Sequence, residues 1–321
     1  MKTPIFCLLI SLVIINFIIA SQKPKDYIKS IFIKALPEPE AGLAIGLFLG
    51  TQDNLDKDLK KAVSASGLSH ILAVSGQHFS FWLAFLLPCF GFFYPEKKAY
   101  LFSILFLFAY LTLISFPPSA VRAFLQSLFA FSALLLRQEK NLWFFLVVSA
   151  LISLLLMPKS LGSLSWQLSY LAVFGILFCQ PFRQAIVIKN KVGNYVMDII
   201  YLSISTQVFI APLIINSFYR LPLISIFSNI SVAWLVPLLL GSILLGLLLS
   251  MLLPFLSFIF FLPSYIFLHL FIIFAKLAAK TPLFISGPIS PVFILIYYFL
   301  LLLIFGVIKN KLSRRRKLVS I

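Results

Sequence analysis

Acidic side chains are scarce in this sequence: 9 Asp and Glu stand against 26 Lys and Arg in 321 residues, a formal net charge of +17. Only Asp198 falls near the start of an apolar segment, and the other acids lie in connectors. Proton-coupled pumps keep carboxylates or histidines at mid-membrane depth as relays, so the shortage argues against an ion-coupled antiporter and suits a conduit for an anion. Charge of either sign is low as well, at 11% against about 25% in soluble domains. With 61% hydrophobic residues and a mean hydropathy of +1.08, this excludes a soluble globular chain. Cysteine is nearly missing. Cys7, Cys89 and Cys179 sit in or beside apolar runs without metal-ligand spacing, so they read as small hydrophobes and point to no redox compartment. Histidine occurs at His70, His78 and His269 only.

What is abundant is apolar sequence of membrane length, including 36 phenylalanines. The runs are too long and continuous for barrel strands, so helices are the expected spanning structure. Spans are predicted at 70–93, 99–116, 119–136, 141–157, 164–180, 197–218, 230–250, 255–275 and 288–308. The run Phe6 to Ala20 is expected to be a retained first helix rather than a signal peptide, because its positive n-region is feeble. Ala41 to Gly50 is too short for a straight crossing and reads as tilted, broken or re-entrant. The fold expected is therefore all-α, a polytopic integral membrane helical bundle of about ten or eleven segments. Thr51 to Lys61, with Asp53, Asp56 and Asp58 set against Lys57, Lys60 and Lys61, reads as a solvated interfacial helix.

Charge sets the expected orientation. Lys97/Lys98, Arg137/Lys140, Arg183/Lys189/Lys191 and the tail from Lys309 to Lys317 alternate so as to lie on one side, and the intervening connectors hold only Lys159, Arg220, Lys276 and Lys280. The richer side is expected to be cytoplasmic, with the C-terminus inside. Ser69 to His78 would then enter the bilayer from outside. The excess of positive charge can also attract a polyanion, either nucleic acid or anionic lipid headgroups.

Polar residues inside the spans are costly and mark candidate sites. Ser69 to His78 brackets a Ser75-Gly76 step between two histidines. These lie about 80° apart around an ideal helix, a poor arrangement for joint metal ligation. No metal and no cofactor are expected, and Gly76 is expected to bend or open the helix. A polar lining or a structural hydrogen-bonding role remains open for both rings. Arg122 shares a helix face with Ser119 and Gln126 and is either functional or a snorkelling anchor. Trp166-Gln167-Leu168-Ser169-Tyr170 is a polar and aromatic block that serves a passage or an interfacial belt. Ser203, Gln207 and Asn216 line another span. Asn229 precedes a segment expected to break at Pro237, and either lines a cavity or makes an inter-helix bond.

Four blocks in order resemble the ComEC-type competence family. Gly67-Leu-Ser-His-Ile-Leu-Ala-Val-Ser-Gly-Gln-His78 is similar to its Gly-Leu-x-His-Leu-Leu-Ala-Ile-Ser-Gly-x-His signature. Pro117-Pro-Ser-Ala-Val-Arg122-Ala resembles its Ser-x-x-Arg-Ala block, Trp166 to Val173 its Phe-Gln-Leu-Ser-Phe-Leu-Ala-Val block, and Phe218 to Asn229 its element leading into a proline-containing helix. Pro37 to Gly42 fits the lead-in. The implied organisation is an N-terminal helix and connector over 1–35, a channel domain over 36–280, and a last helix with a basic tail over 281–321.

The resemblance implies an inner-membrane channel core for uptake of single-stranded transforming DNA. His70, Ser75, Gly76, Gln77, His78, Arg122, Gln167, Ser169 and Asn229 are the implied channel or DNA-contact residues. Trp82, Trp166 and Tyr170 are candidate base-stacking surfaces. Larger family members add an oligonucleotide-binding domain and a metallo-hydrolase domain. Residues 21–66 are too few for the first, and no His-x-His-x-Asp-His cluster marks the second. Separate DNA-binding, nuclease and helicase or translocase partners are therefore expected, together with anionic lipids, and self-association stays open. The chain is expected not to be an enzyme. The rivals are a transporter or flippase of a small or lipidic anion and, more remotely, an intramembrane serine protease pairing Ser75 with His269.

Overall fold

A computed structural model describes residues 24–319 apart from 75, 140, 187, 282 and 288, with no side-chain description at 305 and 307–319. The expected first helix, Cys7, Ser75, Lys140 and the side chains of the basic tail lie outside the described residues. Fifteen α-helices and one short strand pair make up what is described. The protein is an all-α polytopic membrane protein. By length and composition α7 (Pro118–Leu136), α10 (Lys191–Phe218), α12 (Leu235–Leu252) and α14 (Leu262–Ala279) can cross a bilayer.

Local chemistry sets the boundaries. α1 spans Pro24–Ala35, and α2, Glu40–Leu49, opens with an acid at its positive end and closes on Gly50 in the left-handed region, φ 73°. All ten residues of α2 are buried. The short run is thus a protein-enclosed helix, the setting in which a half-length segment can sit at membrane depth. α3 runs Lys57–Ala65, later than the expected 51–61, because Asp56 is its N-cap and accepts from Asp58 N and Leu59 N. Its Leu59 and Val63, one turn apart, are fully buried, while its charged face is exposed.

The expected span 70–93 is split. α4 covers Ser69–Leu72, the chain extends at Ala73, and α5 starts afresh as Gly76–Gly91. α6 (Glu96–Leu113) follows. α8 (Leu142–Leu156), α9 (Leu164–Ala185) and α10 begin at Asn141, Ser163 and Asn190, whose side chains accept backbone N–H groups of the first turn. The expected span 230–250 is also split, into α11 (Ser225–Ala233) and α12, but the break falls at Trp234 rather than at Pro237. Pro237 lies in the first turn of α12, where an N–H has no helical acceptor to lose. The short α13 (Ser257–Phe260) leads into α14. β1 (Arg220–Pro222) pairs antiparallel with β2 (Phe284–Ser286), the strand leading to α15 (Pro291–Val319).

The main core draws on α1 to α7, α11, α12 and α14. Its centre is aromatic: Trp82 packs edge-on against Phe48, Phe81, Phe106 and Tyr110 at 5.1–6.3 Å between ring centroids. Two small clusters hold the remainder, one around Leu146, Tyr170 and Leu177, the other around Cys179, Phe209 and Leu301.

Candidate functional site

The first block opens with a helix stop. Gly67, φ 76°, is the left-handed residue of a Schellman turn in which Leu68 N donates to Val63 O and Gly67 N to Ser64 O. Leu68 and Val63 bury the accompanying apolar contact. A Cβ at Gly67 would stand 2.4 Å from Ser225 Cβ and 3.0 Å from Pro222 Cγ. The glycine therefore lets the first block meet the fourth without intervening atoms. His70 Nδ1 lies 3.1 Å from Gly67 O and donates to it, and the ring is exposed.

After the break at Ala73 the chain meets α7. Ser119 Oγ donates to Val74 O at 2.9 Å. A Cβ on Gly76 would lie 2.6 Å from an Arg122 guanidinium nitrogen. Arg122 is 6% exposed. Its Nε donates to Ser169 Oγ at 2.7 Å, its Nη1 to Gln126 Oε1 at 2.8 Å, and its guanidinium carbon lies 5.9 Å from the centre of the Tyr170 ring. Among the described residues no carboxylate lies within ion-pair distance of it. A buried cation without a counter-charge is normally expensive. Here its shell of hydroxyl, amide, ring face and glycine backbone is neutral, so its charge remains available to an anion.

The third block is anchored from behind by Ser153 of α8, which the sequence did not single out. Trp166 Nε1 and Tyr170 OH both reach Ser153 Oγ, at 2.9 and 3.2 Å, and Ser153 in turn donates to Ala150 O. Gln167 Nε2 donates to Leu161 O at 2.9 Å and makes no hydrogen bond to Arg122, so it does not join the shell of that cation. In the fourth block Asn229 Nδ2 donates to Ser203 Oγ at 3.1 Å, while Ser225 Oγ donates to Gln207 Oε1 and Gln207 Nε2 to Pro222 O, each at 3.2 Å. Asn229 Oδ1 is buried without a hydrogen-bond partner, an unused acceptor in an otherwise paired cluster.

The blocks thus converge on two linked centres. Gly76, Arg122 and Ser169 meet at one, with Gln126 and Tyr170. Asn229 belongs to the other, joined to the first block through Gly67. His78 stands apart: it is fully buried and its ring bonds the Leu47 backbone carbonyl. Tyr110 OH does the same for Phe48 O at 2.7 Å. Together they cap the last turn of α2, whose carbonyls have no helical donors. Gln77 is exposed, and Ser75 lies outside the described residues. Trp82 is 0% exposed inside the aromatic core, which removes it as a stacking surface for a base. Asn216 is exposed near the end of α10, away from Ser203 and Gln207, which bond Asn229 and the Pro222–Ser225 segment. His269 pairs with buried Glu40 at 2.8 Å, a contact between residues 229 apart. The described residues contain no group of His, Cys, Asp and Glu fit to hold a metal.

A helical membrane bundle with an internal cation in a neutral polar shell is the class this arrangement defines. The chain belongs to the Competence protein family, whose pattern it matches over residues 47–311. It is 24% identical over 212 residues to ComE operon protein 3 of Bacillus subtilis (strain 168), a match covering 64% of this chain and 26% of that relative. This chain therefore corresponds to about a quarter of the relative's length. No solved structure matches it.

Proposed function

We propose that this chain forms the membrane-embedded core of a passage through which one strand of DNA enters the cell during transformation. The observation that carries the reading is Arg122, buried at the meeting point of three sequence blocks and surrounded by neutral donors and acceptors. A guanidinium can give two parallel hydrogen bonds to a phosphate, and the amides of Gln126 and Asn229 can bond sugar, phosphate or base edges as successive nucleotides pass. The scarcity of acids keeps such a route free of repulsive charge. Membership of the Competence protein family supports the same reading.

In this reading the conformation with Arg122 only 6% exposed is the closed one. Opening separates α9 from α7 at the Arg122–Ser169 bond, exposing the guanidinium to the phosphates. In this reading the chain performs no covalent chemistry, lies in the cell membrane with its C-terminus cytoplasmic, and depends on a separate cytoplasmic motor for direction. Partner proteins capture the DNA and cut its other strand.

Proteoliposomes holding the full chain test the proposal. Labelled single-stranded DNA should enter or bind, and Arg122→Met should lower this at least tenfold with insertion unchanged. Entry of small anions with exclusion of DNA would establish the transporter reading instead.

A further inference from the structure

α10 contains a proline that its own helix cannot accommodate. Pro212 has no N–H, so the Val208 carbonyl, four residues earlier, has lost its helical donor. Unpaired carbonyls are costly inside a bilayer, and proline persists in spanning helices only where another group re-satisfies the backbone. That group comes from α15. Tyr297 OH donates to Val208 O at 2.8 Å, and its neighbour Tyr298 OH donates to Phe209 O at 2.7 Å. Phe209 still has Leu213 as its helical donor and uses a second lone pair for the phenol. The two bonds are therefore not equivalent: Tyr297 replaces a missing bond, and Tyr298 adds one.

Proline in a helix interior bends it, and Pro212 lies five residues beyond Gln207 and nine beyond Ser203, the residues that α10 presents to Ser225, Pro222 and Asn229. The direction in which α10 leaves Pro212 decides where those side chains stand. We propose that Tyr297 and Tyr298 are positioning residues, a latch from α15 that fixes the bend of α10 at Pro212 and so sets the Ser203–Asn229 and Gln207–Ser225 contacts. Their bearing on transport rests on the passage reading above, but their effect on geometry does not.

The test combines a distance with a rescue. In the full chain with Cys7, Cys89 and Cys179 replaced by serine, spin labels at the exposed positions Leu202 and Phe227 report the separation of α10 from α11. Tyr297→Phe should broaden and displace that distance, and labelled-DNA uptake should fall about fivefold, the factor matching one net hydrogen bond. In a Pro212→Ala background the new N–H can pair with Val208 O, so adding Tyr297→Phe should change neither readout. Tyr298→Phe should act equally in both backgrounds. An unchanged distance on Tyr297→Phe, or a defect that persists undiminished in Pro212→Ala, overturns the latch. A displaced distance with unaltered DNA uptake upholds the latch and counts against the passage reading instead.

Discussion

The two halves of the molecule are held together by different physics. In α1 to α7, α11, α12 and α14 the helices share one continuous core, in which Trp82, Phe79, Phe32 and the whole of α2 are withdrawn from the surface. Around α8 to α10 and α15 the apolar clusters are small, and polar ties recur. Trp166 and Tyr170 share Ser153, Tyr201 bonds the Ile176 carbonyl, Arg183 pairs with Asp198 at 2.6 Å, and Tyr297 and Tyr298 bond α10. In a bilayer the lipid is as apolar as the side chains, so helices associate through close packing and hydrogen bonds rather than water exclusion. Dense packing resists sliding, whereas a few directional bonds can be exchanged. Both polar centres lie on the seam between these halves, with Arg122 and Asn229 on the dense side and Ser169 and Ser203 on the other. On the passage reading, opening there leaves the core packed.

The comparison can be broken most severely at Gly67. Alanine there adds a positive-φ penalty to a 2.4 Å clash with Ser225, and should destabilise the fold by roughly 2–5 kcal/mol. Thermal melting of purified protein and membrane yield both report it; full yield would show that the contact between the first and fourth blocks is looser than described. Trp82→Ala should cost about 3–5 kcal/mol as a core cavity, whereas Trp166→Ala, losing a partly buried ring and one bond to Ser153, should cost clearly less in the same melting assay. Equal costs would erase the distinction between the halves.

Arg122→Met sharpens the contrast in the opposite sense. Replacing a buried unpaired cation by an apolar chain of similar length should leave the melting temperature unchanged or raised, while oligonucleotide binding weakens. The slope of log affinity against log salt should fall by about 0.7, one phosphate contact on a single strand. A lowered melting point with unaltered DNA binding would make Arg122 a structural anchor. The smallest effect expected is that of Ser169→Ala, about 1 kcal/mol in stability, because Arg122 keeps its bond to Gln126.

Much of this was legible in sequence where the signal is local. Apolar runs marked the helices, the break expected at Gly76 falls three residues earlier at Ala73 with Gly76 opening α5, and the four-residue spacing of Arg122 and Gln126 became a hydrogen bond. The third residue assigned to that face, Ser119, turns to Val74 instead, because the broken chain leaves a carbonyl within reach. Trp82 looked like a stacking platform because nothing in its neighbours reveals that four other rings enclose it. Long-range pairs were invisible for the same reason: Ser153, Tyr297 and Tyr298 stand in ordinary apolar runs, and their meaning lies in partners 13 to 89 residues away. Pro212 carried half of the latch signal, a missing donor, without indicating which hydroxyl supplies the replacement.

The Glu40–His269 pair constrains how the protein is made. Glu40 is 4% exposed and its partner is 229 residues downstream. Because a chain is made from its N-terminus, Glu40 is synthesised long before its partner and this contact cannot form until His269 has been translated. α2 can therefore take its final seat only after α14 arrives, so the enclosed half-length helix is a late event in biogenesis despite its early place in the gene.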